Sequence, residues 1–235
     1  MVIIKQPNNW IQATDKKYDS NLRESMPKLV DHEGRREEIA RATWVVVQKR
    51  GTERLRLRDI ADEVGFTTGV FSHYFRDKGS LLRYAFNLAY QRLYEKILSS
   101  NEFTDSGLEQ FRNALVALVP DNRNPESVAF VSMCFGIRNL SDPILTADYK
   151  RKRSQYGRLL KSYIHDATAS KEVSLQQITN DTLDLSFAVL DGVCIASLLN
   201  PSSSSRTRGI RIIDTMISEL VYTSNRANSA NSSIR

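Results

Sequence analysis

Nineteen residues, Leu57–Phe75, constrain this chain more than any other stretch. Leu57, Ile60, Ala61 and Val64 recur at steps of three and four, which gives a short helix one apolar face. Gly65 follows, and glycine takes the left-handed conformation that ends a helix without steric cost. Thr67 stands where a second short helix needs a cap. Within that helix Val70 and Tyr74, and Phe71 and Phe75, are again four apart. Two short helices joined by a tight glycine turn make a helix-turn-helix.

The flanking sequence is helical too. From Gly34, the residues Ile39, Thr43, Val46 and Val47 keep helical spacing and end at Lys49-Arg50-Gly51. Basic residues in a last turn followed by glycine make a helix stop. A long helix is expected over roughly 78–99, then others near 104–119, 125–139, 143–168, 174–199 and 206–223. Pro120, Pro125, Pro143 and the run NPSSSSRTRG mark the joints. No stretch alternates with a period of two. The fold class is therefore all-α: residues 1–30 as a flexible tail, 31–80 as a helix-turn-helix head, 81–225 as a larger helical body and 226–235 as a frayed end. The first residues lack the apolar centre of a secretion signal. No run of about 18 apolar residues stands out. The sequence thus points to a cytoplasmic protein without a membrane contact. Cys134 and Cys194 sit in apolar surroundings as plain buried thiols.

A polar, small-residue face on the second short helix suits a DNA major groove, about 12 Å wide. Thr67, Thr68, Gly69, Ser72 and His73 form that face, while Val70, Phe71 and Phe75 hold the helix to its neighbours. Lys78 lies just beyond and can reach a phosphate as a point charge. Arg35, Arg36, Arg54 and Arg58 are further phosphate candidates. Residues 26–100 hold fourteen Lys and Arg against ten Asp and Glu, a net +4 within a chain of net +6. Binding that neutralises phosphates should depend steeply on salt.

The stretch IADEVGFTTGVFSHYFRDKGSLL resembles the signature of the TetR family of bacterial transcriptional regulators, through Ile60, Ala61, Val64, Gly65, Gly69, His73, Tyr74, Phe75, Lys78 and Leu82. SHYFRDK and MPKL further resemble its BetI-like branch. Two positions depart from the pattern. Arg56 stands where threonine often starts the second helix, and it can reach a phosphate instead of capping. Ser72 stands where tyrosine is frequent, as in the BetI-like branch. The resemblance implies a head of three helices, a fourth helix linking it to the body, and a homodimer formed by the last two helices. It also implies a small-molecule effector bound in the body and an operator in double-stranded DNA. Such a dimer sets its two recognition helices about 34–36 Å apart on an inverted repeat. With Tyr74 added, the expected DNA-contacting set is Arg35, Arg56, Arg58, Thr67, Thr68, Gly69, Ser72, His73, Tyr74 and Lys78.

For the body, Phe111, Phe130, Met133, Phe135, Tyr156 and Phe187 are candidate ligand contacts. Asp191 is an acid in an otherwise apolar helix and can face a polar or cationic group. Each of these can equally fill the core. The BetI-like branch is associated with choline and betaine metabolism, but no aromatic cage is legible and that ligand is not carried over. Leu183, Phe187, Leu190, Cys194, Ile210, Ile213 and Ile217 form stripes suited either to a dimer interface or to the chain's own core. The basic run YKRKRSQYGRLLK, residues 149–161, reads as a solvated helix face.

An enzyme is a poor alternative. The three histidines make no pair at metal-ligand spacing. No phosphate-cradling glycine loop or nucleophile elbow is present, so no cofactor is expected. The remaining alternatives are a ligand-released repressor and an architectural, ligand-independent DNA-binding protein, which would share the head and lack the cavity.

Overall fold

The computed structural model describes residues 31–136, 143–173 and 180–232, and all regular structure among them is helical. Its elements are α1 (His32–Arg50), α2 (Leu57–Val64), α3 (Thr68–Tyr74), α4 (Lys78–Ser100), α5 (Gly107–Ala117), α6 (Pro125–Gly136), α7 (Pro143–Ala169), α8 (Asn180–Leu199) and α9 (Ser205–Ser232). The expected extension of α6 to 139, the start of a helix at 174 and the tail over 1–30 lie outside the described residues. The end of α9 is a correction. It runs through the stretch expected to fray, because Ser and Asn weaken a helix without breaking it, Ala and Arg favour it, and neither Gly nor Pro intervenes there.

The head closes as its spacing requires. Gly51 and Gly65 both take φ of 75°, ending α1 and α2. The Gly65 amide donates to the Ala61 carbonyl. Phe71 and Phe75 are buried, together with Ile60, Ala61, Leu81 and Leu82. At the start of α4, Asp77 and Ser80 form a reciprocal capping box: the Ser80 amide donates to Asp77 Oδ1 at 2.6 Å and the Asp77 amide to Ser80 Oγ at 3.2 Å.

Helix α1 packs against α2, α3 and α4 and also lies along α6 of the body. Head and body therefore share one continuous core. Trp44 on α1 donates its indole N–H to the Ala85 carbonyl of α4 at 3.1 Å. Arg92 of α4 reaches Glu37 of α1 at 2.7 Å and Glu126 of α6 at 3.6 Å, and its guanidinium lies over the Trp44 ring. Burial pushes the Glu126 carboxyl up, and the charge of Arg92 opposes that push.

In the body, α5 crosses α7 and α8 pairs with α9. Arg112 of α5 makes a two-pronged bond to Asp214 of α9, at 2.6 and 3.0 Å. The α5–α7 crossing is unusually close at Gly107. A β-carbon there would stand 2.2 Å from the Ala167 nitrogen and 2.5 Å from the Tyr163 carbonyl oxygen. Beyond α7, Glu172 turns back to the start of α5. Its carboxylate accepts from the Ser106 hydroxyl at 2.5 Å, the Gly107 amide at 3.1 Å and the Leu108 amide at 3.3 Å. Burial raises the Glu172 carboxyl, but these bonds and that of Ser170 outweigh it and hold it below the ordinary value. That contribution to stability is present above the unfolded-state pKa and is lost as pH falls through the lowered one.

Helix α8 corrects another expectation. Asp181–Leu199 is long and apolar enough to cross a membrane by length and composition, with a mean hydropathy of 1.7. Only 33% of it is buried within the chain. Leu185, Ile195 and Leu199 are exposed, the last at 73%.

Gly107→Ala is expected to lower stability by about 2–3 kcal/mol, the cost of overpacking against backbone that cannot yield. Urea unfolding of the purified chain measures it; an unchanged midpoint would show that the two helices separate freely.

Candidate nucleic-acid interface and body cavity

The exposed face of α3 carries most of the residues expected there. Gly69, Ser72 and His73 are exposed, as is Thr67 just before the helix. Thr67 takes the cap position, yet its side chain accepts no capping hydrogen bond. This corrects its expected role as a cap and leaves the hydroxyl on the surface. Ser72 Oγ donates to the Gly69 carbonyl at 2.8 Å. Tyr74 leans the other way, half-buried, with its ring 5.3 Å from that of His32. The Thr68 side chain lies outside the described residues.

Gly69 has no structural reason to be glycine. A β-carbon there would meet only the Thr67 hydroxyl, at 3.9 Å, and otherwise open space. Its φ is not in the left-handed region. Glycine inside a helix costs about 1 kcal/mol relative to alanine. A bare backbone on an exposed helix face suits close approach of a partner from outside.

The basic residues divide into two groups. Arg35 pairs with Glu38 at 2.6 Å and lies over the Phe66 ring. Arg36 lies over the Tyr84 ring at 4.4 Å and the Phe75 ring at 5.2 Å, so its guanidinium is engaged in packing. Lys49 and Arg50 pair with Glu63 and Asp59. By contrast Arg54, Arg56 and Arg58 are exposed and have no ion-pair partner among the described residues. Arg56 holds the cap position of α2 without a side-chain bond to the helix, so two exposed arginines stand together at that first turn. Lys78 is half-buried and donates to the Leu55 carbonyl at 2.6 Å, tying the start of α4 to the loop before α2. An ammonium has three protons, and two remain for a phosphate.

In the body, α4, α6, α7 and α8 surround a cavity of about 590 Å³, its open mouth included. Phe130, Tyr156, Phe187 and Asp191 from the expected ligand set all line it. Phe111 does not. It is buried in the core at 1% exposure, because its side of α5 faces inward. Met133 and Phe135 have side chains outside the described residues. Tyr90, Tyr149, Lys152 and Arg153 line the cavity and were not anticipated. The signal was present: Tyr149, Arg153, Tyr156 and Leu160 follow helical spacing inside the basic run. Arg153 holds Asp191 through two bonds, at 2.9 and 3.2 Å, and lies 4.3 Å over the Phe187 ring. Burial pushes the Cys194 thiol up to about 12 and raises that of Cys134 as well, so both stay neutral.

Of the two readings of the α8 and α9 stripes, the chain's own core takes several residues. Leu190, Cys194, Ile213 and Ile217 are buried in the chain's own core, and Leu183, Phe187 and Ile210 are half-buried. The more regular apolar stripe went to the intrachain contact between α8 and α9. Gly209 allows that approach, since a β-carbon there would stand 2.7 Å from Val193 Cγ1.

A short helix presenting a polar outer face, set on a helix-turn-helix and flanked by unpaired arginines, defines a DNA-binding protein. The comparisons agree. The family described as bacterial regulatory proteins, tetR family, matches residues 39–85. The chain is 28% identical over 198 residues to the transcriptional regulator PksA of Bacillus subtilis, covering 80% of this chain and 90% of that one. It is 26% identical over 187 residues to BetI of Escherichia coli K12, covering 78% and 92%. A transcriptional regulator from Saccharomonospora viridis, crystallised in complex with choline, has the same fold at a TM-score of 0.68 and 16% identity, over 79% of this chain and 96% of that one. The head thus matches the TetR family, and the chain is similar over most of its length to transcriptional regulators.

Gly69→Ala is expected to raise stability by about 0.5–1 kcal/mol while weakening DNA binding at least tenfold. Arg56→Ala and Arg58→Ala should each reduce the slope of log K against log salt by about 1. Thermal melts and salt-series anisotropy check these; tight binding by the Gly69 variant would remove that face from the contact.

Proposed function

We propose that the chain is a dimeric repressor, released from an inverted-repeat operator by a small molecule held in the body cavity. The observation that carries this reading is that α6 lines the cavity with Phe130 and Val131 and also packs along α1 of the head. A ligand that reshapes α6 cannot leave α1 as it was. If it favours the DNA-incompetent arrangement, DNA affinity falls by the same factor by which DNA weakens the ligand. The choline held by the Saccharomonospora viridis regulator supports a cavity of this kind as an effector site.

Dimerisation is supported by α8 and α9. Leu185, Ile195, Leu199 and Ile212 are exposed apolar residues on these two helices, and several large apolar side chains left in water on paired helices suit an interface. A second copy of the chain, related by a two-fold axis, covers it and sets the two α3 helices one turn of DNA apart. Within this reading the DNA-facing residues are Arg56, Arg58, Thr67, Thr68, Gly69, Ser72, His73 and Lys78. The place of work is the cytoplasm, where the DNA is.

The test is anisotropy of the purified chain on a labelled duplex from its own upstream region, at physiological salt with excess random DNA. Binding is expected to survive the competitor, and Ile195→Asp should abolish it while leaving a folded monomer. Binding lost to random DNA, or retained by a monomer, would favour the architectural alternative.

A further inference from the structure

The charge of the cavity, resting on the reading of it as an effector site, narrows the effector's chemistry. Two cations and one carboxylate line it among the described residues: Lys152, Arg153 and Asp191. Arg153 and Asp191 satisfy each other through two bonds. Lys152 is different. Its ammonium is half-buried, lies 4.2 Å over the Tyr90 ring, and has neither an ion pair nor a hydrogen bond among the described residues. Asp148, on the same helix, is engaged by Arg151. Burial holds the Lys152 ammonium below the ordinary lysine value, with the charge of Asp148 opposing that push, which is the mark of a cation short of solvent.

The remaining wall is apolar and aromatic, with Phe86, Tyr90, Phe130, Tyr149, Tyr156 and Phe187. A groove between α7 and α8 shares Arg153, Phe187 and Asp191 with the cavity, so the two adjoin at those side chains. That groove carries Lys150, Arg153, Arg158 and Lys161 against Asp184 and Asp191. Its net positive charge raises the local concentration of anions. Gly157 leaves room there, since a β-carbon would sit 3.5 Å from the Phe187 ring.

We infer that the effector is a small apolar or aromatic carboxylate, its ring or chain among the aromatic side chains and its anionic group on Lys152. A cationic ligand is disfavoured: the one carboxylate is already held by Arg153, and a second cation would face Lys152 across a partly desolvated space. A neutral ligand of the same shape would leave the ammonium without a partner.

Calorimetry on the full chain tests this with four probes: 3-phenylpropionate, octanoate, 3-phenylpropionamide and choline. At least one acid is expected to bind, and 3-phenylpropionate at least tenfold more tightly than its amide. Choline should bind more weakly than either acid. Lys152→Met should remove the acid-over-amide preference, and Lys152→Arg should keep it, with unfolding midpoints confirming that both variants fold. An amide that binds as well as its acid, choline that binds more tightly than both acids, failure of both acids to bind, or a preference unchanged in Lys152→Met would each overturn the assignment. The same acids are then added to the protein–DNA complex. An acid that binds through Lys152 but leaves DNA affinity unchanged would overturn the effector reading while the ligand class stands.

Discussion

The contact of α1 with α6 governs the rest of the structure. A head made of two short helices and α1 buries little by itself and needs a platform. Here the platform is the body. Ile39, Ala40, Trp44 and Val47 on α1 are almost wholly buried. Arg92 holds the seam at its polar edge by taking one carboxylate from the head and one from the body, with Trp44 beneath it. Removing either carboxylate leaves a partly desolvated charge short of a partner, a costlier state than the intact cluster is a favourable one.

That seam makes a regulator out of two ordinary parts. The exposed surface around α3 is simple: a bare glycine, a few hydroxyls, a histidine, and arginines without an ion-pair partner among the described residues. Groups already satisfied within the fold, such as Arg36 over its two rings, add rigidity rather than readout. The cavity is equally simple, an aromatic enclosure with one cation that no ion pair holds among the described residues. α6 belongs to the wall of the second and the support of the first, which is the arrangement the proposed release mechanism requires.

Much of this was legible in the residues. The glycine at 65, the four-residue steps of the aromatic pairs and the proline joints determine the helices of the head and most of those of the body. The face of α3 followed from helical spacing alone. What was not legible depended on contacts distant in sequence. Phe111 and Phe130 look alike along the chain, and only the packing of α5 and α6 against the other helices buries the first in the core and leaves the second on the cavity. The basic run at 149–161 read as a solvated face because the acid that answers it, Asp191, lies some forty residues on. The apolar stripes of α8 and α9 were divided between core and surface by the close approach at Gly209, which no local pattern reveals.

The coupling of head to cavity through α6 is tested most directly by amide hydrogen exchange of the full chain, free and bound to its specific duplex. The amides of α6 between Ser127 and Val131 are compared with those of α2 and α3, and with the α5–α7 crossing near Thr168 as a reference. DNA is expected to slow exchange in α6 as well as in α2 and α3, with the reference unchanged. Protection confined to α2 and α3 would contradict it and would mean that the head moves independently of the cavity.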